Sequence, residues 1–294
     1  IIDIVMNSKQ NPATPVAELP QGVGTAREAG KSIGLVPTMG ALHEGHLSLV
    51  HASLVECDFT VVTIFVNPTQ FGPSEDFDKY PRTLEADLAV LAECGADLVF
   101  APDRDEAYPR NYSPTIEPPQ VALRWEGECR PGHFRGVATI VLKLFNMSLA
   151  DIAFFGQKDY QQARVICDMV RDLNVPVEIR VCPIIREPDG LAMSSRNRYL
   201  SEDQRRQALA LPKCLHVARQ EVERGRQDVS SVVASMRQIL SDAGIAAIDY
   251  VALVDPDTLE PVATLGEPMV ALIAAYAGDT RLIDNCRIER NAGD

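Results

Sequence analysis

The chain has 294 residues, 46% of them hydrophobic and 23% charged, with a formal net charge of −13. That length and apolar content suit one large or two modest domains with real cores and exclude disorder. The acidity, with no run of Lys or Arg, excludes a nonspecific nucleic-acid binder, and an anionic substrate must meet a local basic pocket instead. Seven cysteines, Cys57, Cys94, Cys129, Cys167, Cys182, Cys214 and Cys286, are widely spaced without a CxxC pair, as expected of reduced thiols in a cytoplasmic protein. No apolar stretch reaches the roughly 20 residues that a membrane span needs, and the N-terminus lacks a basic region followed by an apolar core, so no membrane partner is expected.

No element is assigned to the first twenty residues or so, where Ile1-Ile2-Asp3-Ile4-Val5 gives way to a Pro-, Asn- and Ser-bearing stretch. From there apolar runs at 33–37, 59–66, 97–101, 152–155 and 177–182 alternate with helix-period segments at 46–56, 82–94, 136–148 and 159–173. That alternation predicts an α/β fold with a parallel sheet and crossover helices, and such sheets bind ligands beyond their strand C-termini. After about residue 185 the pattern changes to helix-rich stretches at 202–225 and 229–243 and then to strands at 247–254, 268–276 and 281–288. The expected organisation is a first domain over 1–184 and a smaller α+β domain over 185–294.

The first chemical motif, Pro37-Thr38-Met39-Gly40-Ala41-Leu42-His43-Glu44-Gly45-His46, follows the strand at 33–37. A strand, a glycine-bearing turn and a helix start present backbone N–H groups to anionic phosphate. His43 and His46 share one face of the first turn, and Gly45 between them lets a flat base or sugar come close. The three-residue spacing with no neighbouring third ligand fits zinc poorly. His51 and His216 read as helix-surface residues.

The strand at 59–66 ends in Asn67-Pro68-Thr69-Gln70-Phe71-Gly72, whose carboxamides suit a small polar substrate or are ordinary loop chemistry. Arg130-Pro131-Gly132-His133-Phe134-Arg135-Gly136 is either an anion site or a solvated basic loop. Gly156-Gln157-Lys158-Asp159 repeats the strand-to-helix layout with a lysine at the turn. Met193-Ser194-Ser195-Arg196 offers hydroxyls and a guanidinium that clamp phosphates, although a serine N-cap accounts for the serines alone.

Together the HEGH and MSSR segments resemble the paired HIGH and KMSKS signatures of the nucleotidylyltransferase and class I aminoacyl-tRNA synthetase superfamily. Adding VPTMGALHEGH, FVNPTQFG, YPRTLEADL, RPGHFRGVAT, FGQKDYQQ and DGLAMSSRNRYLS in that order, the chain resembles the pantoate:β-alanine ligase family from about Gly30 to Arg290.

The resemblance implies a Rossmann-like, doubly wound N-terminal domain that binds nucleotide and pantoate, and a C-terminal domain that carries the MSSR loop. It implies a ligase that joins pantoate to β-alanine with ATP and Mg²⁺, forms pantoyl adenylate, and releases pantothenate, AMP and pyrophosphate. A homodimer is implied, with no nucleic-acid partner. ATP is expected along Met39, Gly40, Ala41, Leu42, His43, Glu44, Gly45 and His46, with Gly156, Gln157, Lys158, Asp159, Ile185, Met193, Ser194, Ser195 and Arg196. His43, His46, Lys158 and Arg196 are the expected catalytic residues, and Gln70 and Gln162 the pantoate ligands. Asp87 is weighed as a magnesium ligand, and no metal ligand is assigned. Pro20 interrupts what the family makes a regular helix, which puts the first element in doubt.

Overall fold

The computed structural model describes residues 3–6, 15–73, 75–224, 228–265 and 268–289. Contacts divide the chain into two compact units, Ile1–Gly156 with Gln162–Pro183, and Gln157–Gln161 with Ile184–Asp294.

The first unit holds a parallel sheet in the order β1-β4-β3-β2-β5-β6, formed by Asp3–Met6 (β1), Ile33–Thr38 (β2), Phe59–Ile64 (β3), Leu98–Ala101 (β4), Ile152–Gly156 (β5) and Glu178–Cys182 (β6). Its helices are Pro15–Glu28 (α1), Glu44–Glu56 (α2), Leu84–Cys94 (α3), the short Arg104–Ala107 (α4) and Glu126–Cys129 (α5), His133–Ser148 (α6) and, from Gln162 on, Tyr160–Asp172 (α7). Neighbouring side chains on one strand leave by opposite faces. Leu35, Val61, Phe100 and Phe155 therefore pack with residues of α1, α6 and α7, whereas Val36, Val62, Val99 and Phe154 pack with residues of α2 and α3. Covering both faces in this way is what makes the strands continuous apolar runs; it gives the parallel sheet that the alternation predicts, in the doubly wound form that the resemblance implies. After β4 the chain crosses back to lay β5 beside β2, so the strand order switches between those two strands.

Two expectations change. A β1 strand paired with β4 and the helix α1 occupy the segment to which no element was assigned. Pro20 does not end α1; Leu19, Val23 and Ala26 are buried in the core, and that packing offsets the lost backbone bond.

The second unit contains Glu202–Ala208 (α8), Ala210–Glu223 (α9), Val229–Asp242 (α10) and an antiparallel sheet of Ile248–Val254 (β7), Met269–Ala277 (β8) and Thr280–Ile288 (β9). Leu211, Met236, Leu240, Val251 and Ile273 are among its core residues. The helix-rich stretch expected over 202–225 is two helices divided at Leu209, because Pro212 has no N–H for a continuous helix and sits instead in the first turn of α9. Gln157–Gln161, expected with the first domain, groups with this unit.

Candidate active site

In the first unit the candidate residues stand at the C-terminal ends of β2 and β3. The Thr38 hydroxyl donates to the Thr63 carbonyl at 2.7 Å and accepts the Gly40 N–H at 3.2 Å. Gly40 and Ala41 then take φ values of 80° and 51°, a left-handed turn that costs the alanine strain. Asp87 holds it. Its buried carboxylate on α3 accepts the Ala41 N–H at 2.9 Å, the Leu42 N–H at 2.8 Å and the Thr83 hydroxyl at 3.2 Å. Those oxygens are committed to the loop, so the magnesium reading weighed for Asp87 is replaced by a structural one.

His43 is the N-cap of α2, and His46 is its third residue, so the helix opens earlier than the position 46 expected. Nδ1 of His43 accepts the Gly45 N–H at 3.1 Å, and Nδ1 of His46 accepts the His43 N–H at 3.4 Å. The two imidazoles thus play the parts that Ser or Thr and Glu take in an ordinary capping box. Their rings stack with centroids 4.0 Å apart. With Nδ1 accepting in both, each ring carries its proton on Nε2 and is a donor there. Glu44, at the first position of α2, stands beside them.

Gln70 closes a 3₁₀ turn, Pro68–Gln70, capped by Asn67. Its Oε1 accepts from Asn67 Nδ2 at 3.1 Å, and its Nε2 lies 3.1 Å from the Met39 sulfur, which brings Gln70 to the start of the histidine loop. The amide has a second proton and the thioether is a weak acceptor, so the carboxamide suits a carboxylate or hydroxyl. Asn67, 1% exposed, also bonds the Gly136 carbonyl, the Thr69 hydroxyl and the Tyr108 hydroxyl. Sequence reasoning noted its amide but missed that scaffold role.

The basic segment 130–136 starts α6 at His133 and has its arginines paired with carboxylates, with Pro131, Gly132 and Arg135 exposed. Arg130 makes a two-pronged bond to Glu75 at 2.9 and 2.7 Å, and Arg135 pairs with Glu117 at 2.7 Å. Arg130 also donates to His133 Nε2 at 3.2 Å, so His133 bears its proton on Nδ1 and donates it to the Gln70 carbonyl at 2.8 Å. Burial first, and then the Arg130 charge, push the His133 pKa down to about 4. Between that value and the unfolded value near 6.5, the unfolded chain binds a proton that the folded one refuses, so stability is lost as pH falls through that window. We expect His133→Asn, which keeps an N–H donor, to flatten this fall in urea-midpoint measurements from pH 7 to 4; identical slopes in both proteins would contradict a neutral His133.

The remaining candidates divide between the units. Gly156 ends β5, and Gln162, half-buried on α7, groups with the first unit. In the second unit Gln157–Asp159 form a 3₁₀ turn that Asn285 of β9 bonds through the Gln157 and Lys158 carbonyls. Ile185 uses its carbonyl to accept the Met193 N–H at 3.0 Å. Ser194 caps the 3₁₀ segment Ser195–Tyr199 and accepts the Arg196 N–H at 3.3 Å, so one serine is an N-cap. Ser195 is buried, whereas Met193 and Arg196 are half-buried. Among the described residues no group of three or more His, Cys, Asp or Glu could hold a metal ion, and no helix is long and apolar enough to cross a membrane.

A doubly wound sheet with a histidine-capped helix start where the strand order switches belongs to a nucleotide-handling α/β enzyme. Residues 12–287 match the family model described as pantoate-beta-alanine ligase. The chain is 50% identical over 273 residues to pantothenate synthetase 1 of Bradyrhizobium diazoefficiens, covering 92% of this chain and 96% of that protein. It is 49% identical to the pantothenate synthetase of Moorella thermoacetica, covering 94% and 98%. Two solved structures are similar. Pantothenate synthetase from Thermus thermophilus has a TM-score of 0.90 at 40% identity, covering 98% of this chain and 100% of that one. Pantoate-beta-alanine ligase from Francisella tularensis, complexed with beta-gamma ATP and beta-alanine, has a TM-score of 0.78 at 33% identity, covering 98% of each. The chain belongs to the pantoate–β-alanine ligase family and is a ligase.

Proposed function

We propose that this chain condenses pantoate with β-alanine using ATP, through a pantoyl-adenylate intermediate, and releases pantothenate, AMP and pyrophosphate. The observation that carries the reading is the first unit's shared loop: a helix start capped by two histidines, with the Gln70 carboxamide bonded to its first residue, Met39. The histidine-capped helix start, assigned to phosphate through its Nε2–H groups, and the carboxamide assigned to pantoate are thereby held next to each other.

In the first step a pantoate carboxylate oxygen attacks the α-phosphorus, and the bond to the β-phosphate oxygen breaks, sending its electron pair out with pyrophosphate. In the second the β-alanine amine attacks the acyl carbon, AMP leaves with the anhydride oxygen, and the nitrogen loses its proton. In-line displacement asks the protein for positioning and charge neutralisation. His43 and His46 serve as Nε2–H donors to phosphoryl oxygens, a role their Nδ1 acceptor bonds support better than proton release. Lys158 and Arg196 neutralise the phosphates, and Ser194, Ser195 and the backbone from Met39 to Gly45 line the nucleotide. Gln70 and Gln162 hold pantoate. On this reading 1–184 is the nucleotide- and pantoate-binding domain and 185–294 carries the MSSR loop.

Magnesium belongs to the substrate. With Asp87 committed to backbone N–H groups, the described residues offer it no cage, and it arrives on the ATP phosphates with its waters. The reaction is assigned to the cytoplasm, which the seven free thiols suit. The homodimer belongs to the same proposal: β6 is an edge strand with Val181 42% exposed, and a monomeric sedimentation mass would remove it. AMP release is expected to require both pantoate and β-alanine. AMP formed equally well without either substrate would overturn the reading.

A further inference from the structure

Two adjacent residues of β9, Asp284 and Asn285, are 3% and 2% exposed; Asn285 is bonded to the turn that carries Lys158, and Asp284 to Arg186, in the hairpin arm that precedes Met193–Arg196. Asn285 Nδ2 donates to the carbonyls of Gln157 and Lys158, both at 2.9 Å, while its Oδ1 accepts from Gln157 Nε2 at 3.2 Å. The donors and acceptor of one amide are thereby all used on the turn that carries Lys158. Asp284 accepts Arg186 Nη1 at 2.7 Å and Nη2 at 3.0 Å, and it caps the Asn285 N–H at 2.8 Å. Arg186 bridges Ala192 across a hairpin, where Met193 N–H bonds the Ile185 carbonyl at 3.0 Å and Arg186 also reaches the Gly190 carbonyl at 3.1 Å. The outgoing arm of that hairpin runs straight into Met193–Arg196.

Adjacent side chains leave a strand by opposite faces, which is how one dipeptide reaches two separate loops. Asp284 lies on the face of Leu282 and Cys286, inside the core, where the Arg186 guanidinium pairs with it. A lysine on a short turn and an arginine on a loop have long, mobile side chains. Aiming them at phosphates requires that their backbones be fixed, and a strand paired along its length with β8 supplies that rigidity.

We propose that Asp284 and Asn285 are positioning residues for adenylyl transfer: Asn285 sets the turn that presents Lys158, and Asp284 sets, through Arg186, the loop that presents Arg196. The inference rests on the roles assigned above to Lys158 and Arg196.

The test is a double-mutant cycle on the full-length protein, reading pantoate-dependent pyrophosphate release. Asn285→Ala is expected to lower that rate about tenfold, with the KM for β-alanine unchanged, because misplacement of a catalytic group acts on the step it serves. In a Lys158→Ala background the same change is expected to cost less than about twofold, since the group it positions is gone. Asn285→Ser, which keeps one donor for the carbonyls, gives an intermediate loss and serves if the alanine variant fails to fold. Asp284→Asn is paired with Arg196→Ala in the same way. Losses that multiply in full, or an Asn285→Ala rate equal to the parent's, overturn the inference. A Lys158→Ala enzyme of near-normal rate instead overturns the site assignment on which it stands.

Discussion

Lys158→Ala is expected to lower AMP formation by about 10²-fold or more, a loss of at least about 2.7 kcal/mol of transition-state stabilisation. The charge that moves in the first step ends on pyrophosphate, and an ammonium near it interacts more strongly with the transition state than with bound ATP. The loss should therefore fall on kcat more than on the KM for ATP. Truncation leaves the turn standing, because Asn285 holds the backbone carbonyl of Lys158 and not its side chain. The thermal midpoint should then stay within a degree or two, which separates this outcome from unfolding. Lys158→Arg is no rescue, because a planar fork replaces a compact point charge on a turn whose backbone is fixed. Steady-state AMP release at saturating pantoate and β-alanine measures the effect, and near-normal turnover removes Lys158 from the mechanism. His46→Ala should lose rate on a similar scale, but it also removes the acceptor for the His43 N–H, so its effect mixes chemistry with helix capping.

The features legible in the sequence are those whose signal is local. Leu35-Val36, Val61-Val62 and Phe154-Phe155 read as strands because a sheet covered on both faces needs apolar side chains at successive positions. HEGH, QKD and MSSR read as phosphate chemistry because each is a short turn beside an element end. Element ends are less legible, since Pro20 is carried by buried neighbours while Pro212 splits a helix, and the proline alone does not say which. Least legible are the groups that act at long range. Asp87 serves Ala41 and Leu42, His133 serves Gln70, and Asn285 serves Lys158. A carboxylate that binds N–H groups and one that binds a metal look alike until their neighbours are known. For the same reason the two arginines of 130–136 read equally as an anion site or a solvated loop, whereas their pairing with Glu75 and Glu117 is not legible.

The second large effect is expected from Gly136→Ala. A Cβ at this position of α6 would lie 2.3 Å from the Thr69 carbonyl oxygen, 2.5 Å from its carbon and 2.7 Å from the Gln70 nitrogen. All three are backbone atoms, so no flexible side-chain tip can swing aside, and the methyl must lever the Thr69-Gln70 peptide away from the helix. That movement strains the Asn67 bonds to Gln70 Oε1 and to the Gly136 carbonyl, and the His133 bond to the Gln70 carbonyl. Forcing one methyl into a closed contact typically costs about 1–3 kcal/mol, so the thermal midpoint should fall by several degrees. Because Gln70 is displaced, the pantoate KM should rise about tenfold or more, the scale of misplacing a substrate ligand. ATP binding by calorimetry should change far less than pantoate binding, because Thr38 and Asp87 brace Gly40 to Leu42, and residues 67–70 meet the loop at Met39 through a weak amide–thioether bond. Gln70→Ala is the control: it removes the carboxamide without moving the backbone, so it should raise the pantoate KM while leaving the thermal midpoint near the parent's. A Gly136→Ala protein with a lowered midpoint and an unchanged pantoate KM would mean that the 67–70 turn supports the fold without holding pantoate.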